Sequence, residues 1–323
     1  MNNTAVREAI RDAIANEMRK DNRVFLLGEE VGEYEGAYKV SQGLLDEFGS
    51  NRIVDTPITE AGFTGLAIGA AMKGLRPIVE FMTWNFAMQA IDHIINSAAK
   101  TFYMSGGKIN IPIVFRGPNG RASRVAAQHS QDYSAWYSHV PGLKVLSPFD
   151  STDAYFLMKS AIRDENPVIF LEHELMYNEK FIIEENNEVS NIGKARIMSS
   201  GSDITIIAYS RAVETALKVG SALKENNISA EVINLRSLKP LDENTIIESV
   251  KKTNKVVIIE EAWKQSGVAA EVLSVIVENV FDYLDAEPLR FCGKEVPLPY
   301  AENLEKISIP DSEEIIKKCL EIC

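Results

Sequence analysis

Apolar positions along this chain switch repeatedly between two periods. Val6, Ala9, Ile10, Ala13, Ile14 and Met18 recur at three- and four-residue intervals, which predicts an amphipathic helix. The continuous run Val24–Leu27 behind them predicts a buried strand. A short helix follows at Leu44, Leu45 and Phe48, then a strand at Ile53-Val54, a helix opening at Glu60 and a strand at Ile78–Phe81. A long helix is expected from near Asn85, carrying Met88, Ile91, Ile95, Ala98 and Phe102 as its apolar stripe. Ile111–Phe115, Val145-Leu146 and Val168–Leu171 complete this half as strands. Alternating strands and helices of this kind build a parallel sheet covered on both faces.

Residues 172–196 break the rhythm. Glu172, Glu174, Glu179, Glu184, Glu185 and Glu188, mixed with asparagines, read as a solvated crossing. The rhythm restarts with a strand at Ile204–Tyr209, a helix from Ala212 to Leu223, and strands at Glu231–Leu235 and Val256–Glu260. A helix over Val268–Val280, a strand at Leu289–Phe291 and a polar tail helix from Asp311 to Cys323 follow. The fold class is therefore α/β, with two doubly wound modules. The expected boundaries are 1–180 for the first, 181–200 for a linker and 201–323 for the second.

Composition changes this picture little. The 323 residues fit two domains, and 46% hydrophobic with 25% charged content is ordinary for a globular protein. A formal net charge of −12 disfavours nucleic acid and anionic membrane as partners. No apolar run reaches the roughly 18 residues a membrane span needs. Residues Met1 to Glu8 lack signal or transit character, and Cys292, Cys319 and Cys323 show no ligand or redox spacing. A cytoplasmic protein with free thiols is expected, or a mitochondrial-matrix one if a transit peptide has been removed.

Residues 55–74 carry the most chemistry. Pro57 and Thr59 supply helix-start residues, and Glu60 then enters the first turn of a helix that is small or apolar almost throughout. Gly62, Gly65 and Gly69 recur on one face, which suggests a close backbone approach. A carboxylate in such surroundings has little water and needs a partner; the plainer alternative is a capping glutamate. In open parallel sheets ligands bind beyond the carboxyl ends of the strands. Glu60, the segment Trp84-Asn85-Phe86 with Gln89, and the segment Arg116–Gly120 leading to His129 all share that address. Taken singly, Phe86 is also readable as a core aromatic and His129 as a loop histidine.

Several ordered segments now agree with one family. They are Asp55–Gly74, Glu80–Phe86, Ser97–Lys100, Arg116–Gly120, Ala126–Gln131, Glu172–Tyr177 and Val296–Ala301. Over nearly its whole length the chain resembles the beta subunits of the thiamine-diphosphate-dependent pyruvate dehydrogenase component. The resemblance implies a transketolase-like pyrimidine-binding domain followed by a transketolase C-terminal-like domain. It implies that Glu60 hydrogen-bonds a ring nitrogen of the cofactor's aminopyrimidine and favours its imino form. Phe86 corresponds to the residue stacking on that ring, and Gln89 lies one helical turn along the same wall. His129 corresponds to a histidine suited to proton transfer when the two-carbon unit passes to a lipoyl group. Arg121 stands where the family commonly has a small residue, and His93 where it commonly has glutamine.

The resemblance also implies a structural potassium ion on main-chain oxygens of Ile113, Ala161, Ile162, Asp164 and Asn166. A helix ending near Arg163 would leave carbonyls free there, and Pro167 forces Asn166 out of helical geometry. The Gly-Asp-Gly segment with which such enzymes hold the diphosphate's divalent metal is absent. Ser105-Gly106-Gly107-Lys108 is the only phosphate candidate, resting on glycine amides. An alpha subunit must then hold magnesium and the diphosphate, in an alpha-two beta-two tetramer. The expected activity is decarboxylation of pyruvate and reductive acetylation of the lipoyl domain of a dihydrolipoyl acetyltransferase core. The alternatives are a branched-chain 2-oxo acid or acetoin dehydrogenase subunit, or a non-catalytic scaffold. No catalytic constellation appears in residues 197–323, where Glu260-Glu261, Glu287 and Asp311–Glu314 offer acidic groups for docking a basic domain of the core.

Overall fold

The structure, a computed structural model, describes residues 3–184 and 191–323; Glu185 and Glu188 of the expected crossing lie outside them. The strands are β1 Asn3–Ala5, β2 Val24–Gly28, β3 Ile53–Asp55, β4 Arg76–Glu80, β5 Val114–Pro118, β6 Lys144–Leu146 and β7 Val168–Glu172. They continue with β8 Lys180–Ile182, β9 Arg196–Ser199, β10 Ile204–Ala208, β11 Ala230–Asn234, β12 Ser237–Lys239, β13 Val256–Trp263 and β14 Leu289–Gly293. The first sheet runs β12-β6-β7-β5-β4-β2-β3 and the second β14-β13-β10-β11-β9. Both are parallel except for one antiparallel edge strand each, β12 and β9. β1 and β8 form a separate antiparallel ribbon.

The first helix, Val6–Lys20, buries every residue of its predicted stripe and packs on the helix Ser151–Arg163. Arg163 seals that contact with a two-pronged bond to Glu17, at 2.7 and 2.6 Å. Two expectations shift. The fifth strand runs Val114–Pro118 rather than Ile111–Phe115, because Pro112 has no amide to give a ladder. The long helix is broken into a turn at Trp84–Ala87, a tight segment at Met88–Ala90, a wide segment at His93–Ala98 and a last helix at Ala99–Met104. The wide segment changes the helical pitch and with it the buried face. Ala87, Ala90, Ile94 and Ala98 face the core, whereas Met88 and Phe102 are each 42% exposed.

The modules are interlocked. β12 comes from the second module yet closes the edge of the first sheet, and β9 lies within the stretch expected to be linker. Asn234 donates to Asp153 at 2.6 Å, and Arg236 pairs with the same carboxylate at 3.3 Å. Each of the two hydrophobic cores draws residues from both modules.

Candidate active site at the carboxyl edge of the first sheet

Register sets the site. Gly28 sits beside Asp55 and Glu80, and Glu80 beside Arg116, so four strand ends form one row. Gly28 is required here: a Cβ on it would stand 2.6 Å from the Glu80 carbonyl oxygen. The chain therefore leaves β2 tightly and delivers Glu29 at the rim. Asp55 fixes the following turn by accepting the amides of Gly32 at 2.6 Å and Glu33 at 2.9 Å.

Glu60 opens the helix Glu60–Met72 and is 3% exposed. Thr59 occupies the cap position without a side-chain capping bond, so the first turn's amides remain for another acceptor. Gly62 allows that entry geometry, since a Cβ there would lie 2.8 Å from Thr59 Oγ1. The expected close approach extends to Gly65, beside the His93 ring, but not to Gly69, which faces open space. Facing Glu60 is Glu29, which the sequence did not single out. Burial, then the charge and hydrogen-bonding reach of Glu60, push Glu29 up to about 7. Glu29 Oε1 is buried with no donor, and among the described residues no ion pair joins either carboxyl to a base. The two groups form a buried carboxyl pair in which Glu29 is the member raised toward neutral pH.

Phe86 and His129 meet edge to face, with ring centroids 5.5 Å apart and planes at 87°. Asn85 explains the meeting: its Oδ1 accepts the Gln131 amide at 3.2 Å, tying the turn that carries Phe86 to the loop that carries His129. Asn119 closes the loop base, accepting from the Tyr133 amide at 2.8 Å and donating to Asp132 at 3.1 Å. His129 is exposed and Phe86 half-buried. Gln89 is exposed on Met88–Ala90, which packs on the Glu60–Met72 helix. Thus one edge collects Glu29, Glu60, Phe86, Gln89 and His129.

Two strands further along the same edge sits a second carboxyl cluster. Arg116 bonds Glu172 through Nε at 2.6 Å and pairs with Glu80 on its other side. Tyr177 donates to Glu172 at 2.7 Å. All four side chains are buried. Burial works against the guanidinium's charge, but Glu172 and Glu80 hold its pKa well above the ordinary value. Burial likewise raises Glu80, against the pull of Arg116.

The proposed potassium residues lie at the opposite, amino edge, where β5 and β7 begin and the helix Ser151–Arg163 ends. Arg76 Nη1 already donates to the carbonyls of Ile162 at 3.0 Å and Asp164 at 3.1 Å. Ile113 O accepts from Val168 at 2.9 Å and Ala161 O from Asp164 at 3.3 Å. Asn166 donates to the Asp164 carboxylate at 3.1 Å. Each carbonyl keeps a second lone pair. The segment 105–108 holds its amides internally: Gly106 and Gly107 donate to Tyr103 and Phe102, and Lys108 to Ser105 Oγ at 3.2 Å. It leaves no cradle for a phosphate. Glu260 and Glu261 are also turned inward, so only Glu287, Asp311, Glu313 and Glu314 of the expected acidic groups are exposed.

Comparison with known proteins fits this layout. The family described as "Transketolase, pyrimidine binding domain" matches residues 2–180, and "Transketolase, C-terminal domain" matches 193–315. The "Pyruvate dehydrogenase E1 component subunit beta" of Rickettsia felis is 58% identical, covering 98% of both chains. The corresponding mitochondrial subunit of Drosophila melanogaster is 56% identical over 98% of this chain and 88% of its own. A solved "Split gene transketolase, inactive beta4 tetramer" has the same fold at 21% identity, with a TM-score of 0.79 over 99% of this chain and 98% of that one. Two transketolase-type domains and end-to-end identity of this order place the chain in the family of pyruvate dehydrogenase E1 component beta subunits.

Proposed function

We propose that this chain is the beta subunit of an alpha-two beta-two enzyme that decarboxylates pyruvate and reductively acetylates a lipoyl domain. The observation carrying this reading is the buried Glu29–Glu60 pair with an orphaned carboxyl oxygen, on the same sheet edge as Phe86 and His129. Such a pair has no structural use for its missing donor and suits a ring nitrogen that shares a proton. Thiamine diphosphate, when bound, supplies the electron sink for decarboxylation.

The chain's own residues then divide the work. Glu60 offers its carboxyl to a ring nitrogen of the aminopyrimidine, and Glu29 keeps that carboxyl supplied with a proton. Phe86 and Gln89 present a wall against which a flat ring packs. His129, exposed and packed edge to face on Phe86, moves a proton at the mouth, where a lipoyl arm would arrive. Metal and diphosphate fall to an alpha chain, because the segment 105–108 spends its amides internally. Ile58, Tyr103 and Met104, exposed by 83, 86 and 76%, suit burial against that chain or a second beta copy. A potassium ion at Ile113, Ala161, Ile162, Asp164 and Asn166 would use second lone pairs beside the charge of Arg76. The exposed acidic groups of the second module suit docking to a basic domain of the acetyltransferase core.

The test is co-expression with and without an alpha chain. Stoichiometric binding of thiamine diphosphate with magnesium, and turnover of pyruvate faster than 2-oxoisovalerate, are expected only in the co-expressed form. Tight calorimetric binding by this chain alone would show that it contains a phosphate site of its own.

A further inference from the structure

The loop carrying His129 is closed at its base, where Gly120 donates to Gln131 at 2.9 Å, and is tied to the first module where Ser123 donates to Glu174 at 3.1 Å, but its middle is strained. Arg124 at φ 56° and Ala126 at φ 65° both adopt left-handed backbone, which side chains with a Cβ disfavour. Val125 and Gln128 are exposed and add no core packing. The second module adds to these first-module ties at two points. Arg124 pairs with Glu302 at 2.9 Å, but both side chains are largely exposed, so that tie is weak.

The stronger tie is at Arg121. Its Nη2 lies 3.6 Å from Glu261 Oε1, with the two side chains 15% and 14% exposed. Glu261 belongs to β13 of the second module and is itself anchored. His173, at the end of β7, accepts the Leu175 amide on Nδ1 at 3.2 Å, which leaves Nε2 to donate to Glu261 Oε2 at 3.0 Å. Burial works against the Glu261 charge, but His173, Arg121 and Arg211 carry its pKa down to about 2, so it stays ionised. Arg121 therefore meets a fixed, permanently charged partner eight residues before His129.

We propose that Arg121 is a positioning residue: through Glu261 the second module holds the 121–131 loop so that His129 stays against Phe86. This rests on the reading of His129 given above. It also gives a use to the residue at which the chain departs from the small side chain common in its family.

The experiment uses the assembled, cofactor-loaded tetramer. Removing Arg121 leaves Glu261 paired with His173, so Arg121→Ala is expected to fold. Amide exchange across 122–130 should rise about fivefold, as for loss of one partly buried ion pair on a surface loop. Acetylation of a lipoyl domain should fall about fivefold relative to decarboxylation with an artificial oxidant, and Arg121→Lys should restore most of both. In a His129→Ala background, Arg121→Ala should lower that ratio no further, because it acts through His129. Unchanged exchange overturns the proposal, and so do losses that multiply in the double variant. A wild-type ratio in His129→Ala alone would defeat the reading of His129, while exchange at 122–130 would still decide whether Arg121 holds the loop.

Discussion

Two carboxyl clusters stand on the same edge of one sheet and differ in a single component. Glu80 and Glu172 enclose Arg116, with Tyr177 completing the hydrogen bonds. Glu29 and Glu60 face each other, and among the described residues no base pairs with either. The first cluster is satisfied and closed: its charges are spent on joining β4, β5 and β7. The second keeps a proton and an unmatched oxygen at the rim. Burial alone does not separate them, since all of these carboxyls are nearly inaccessible. What separates structural from reactive carboxyls here is the presence of a cation.

The sharpest way to break the comparison is to change Glu60. Glu60→Gln should keep the tetramer folded while slowing proton exchange at the cofactor's reactive carbon by about 100-fold or more. Exchange within a few-fold of wild type would return Glu60 to a capping role. Arg116→Met should do the opposite, costing about 3–5 kcal/mol in chemical denaturation because two buried carboxylates lose their partner. If Arg116→Met unfolds no more easily than wild type, the cluster is not structural. His129→Ala should lower lipoyl acetylation about tenfold more than artificial-oxidant decarboxylation; equal losses in both assays would make it a loop-packing residue.

The smallest effect concerns Glu29 and pH. Its carboxyl rises from an ordinary 4.5 to about 7 in the fold. Between those values the folded protein binds a proton that the unfolded chain has lost. Glu29 thus contributes stability at low pH and loses it as pH rises through about 7. Glu29→Gln should gain stability relative to wild type as pH climbs from about 5 to about 8, followed by thermal melts of the tetramer. A difference that does not change with pH would contradict the pairing.

Much of this was legible in the sequence. The strand-and-helix alternation located the edge, and a lone glutamate starting an apolar helix marked Glu60. Glu29 was not visible, because it is one acidic residue among several after a strand; only the adjacency of β2 and β3 brings it to Glu60. The meeting of Phe86 and His129 depends on Asn85 reaching Gln131, a contact with no local signature. The stripe Met88, Ile91, Ile95, Ala98 and Phe102 misled because apolar periodicity does not say which face is core. The pitch change at His93–Ala98 decides that. The edge strand Ser237–Lys239 was missed because a short polar segment before a proline reads as loop.

The difference between the clusters is measured most directly by infrared titration of the assembled tetramer without cofactor, following the protonated-carboxyl band. Glu29 and Glu260 are both pushed up to about 7 and Asp153 to about 6, in each case chiefly by burial, and burial also raises Glu80, so several carboxyls of this chain should lose their proton above the ordinary range. Glu29→Gln should remove one carboxyl's share of the loss near pH 7 and leave the rest. A band that titrates wholly near the ordinary 4.5, or one unchanged by Glu29→Gln, would mean that Glu29 and Glu60 do not share a proton.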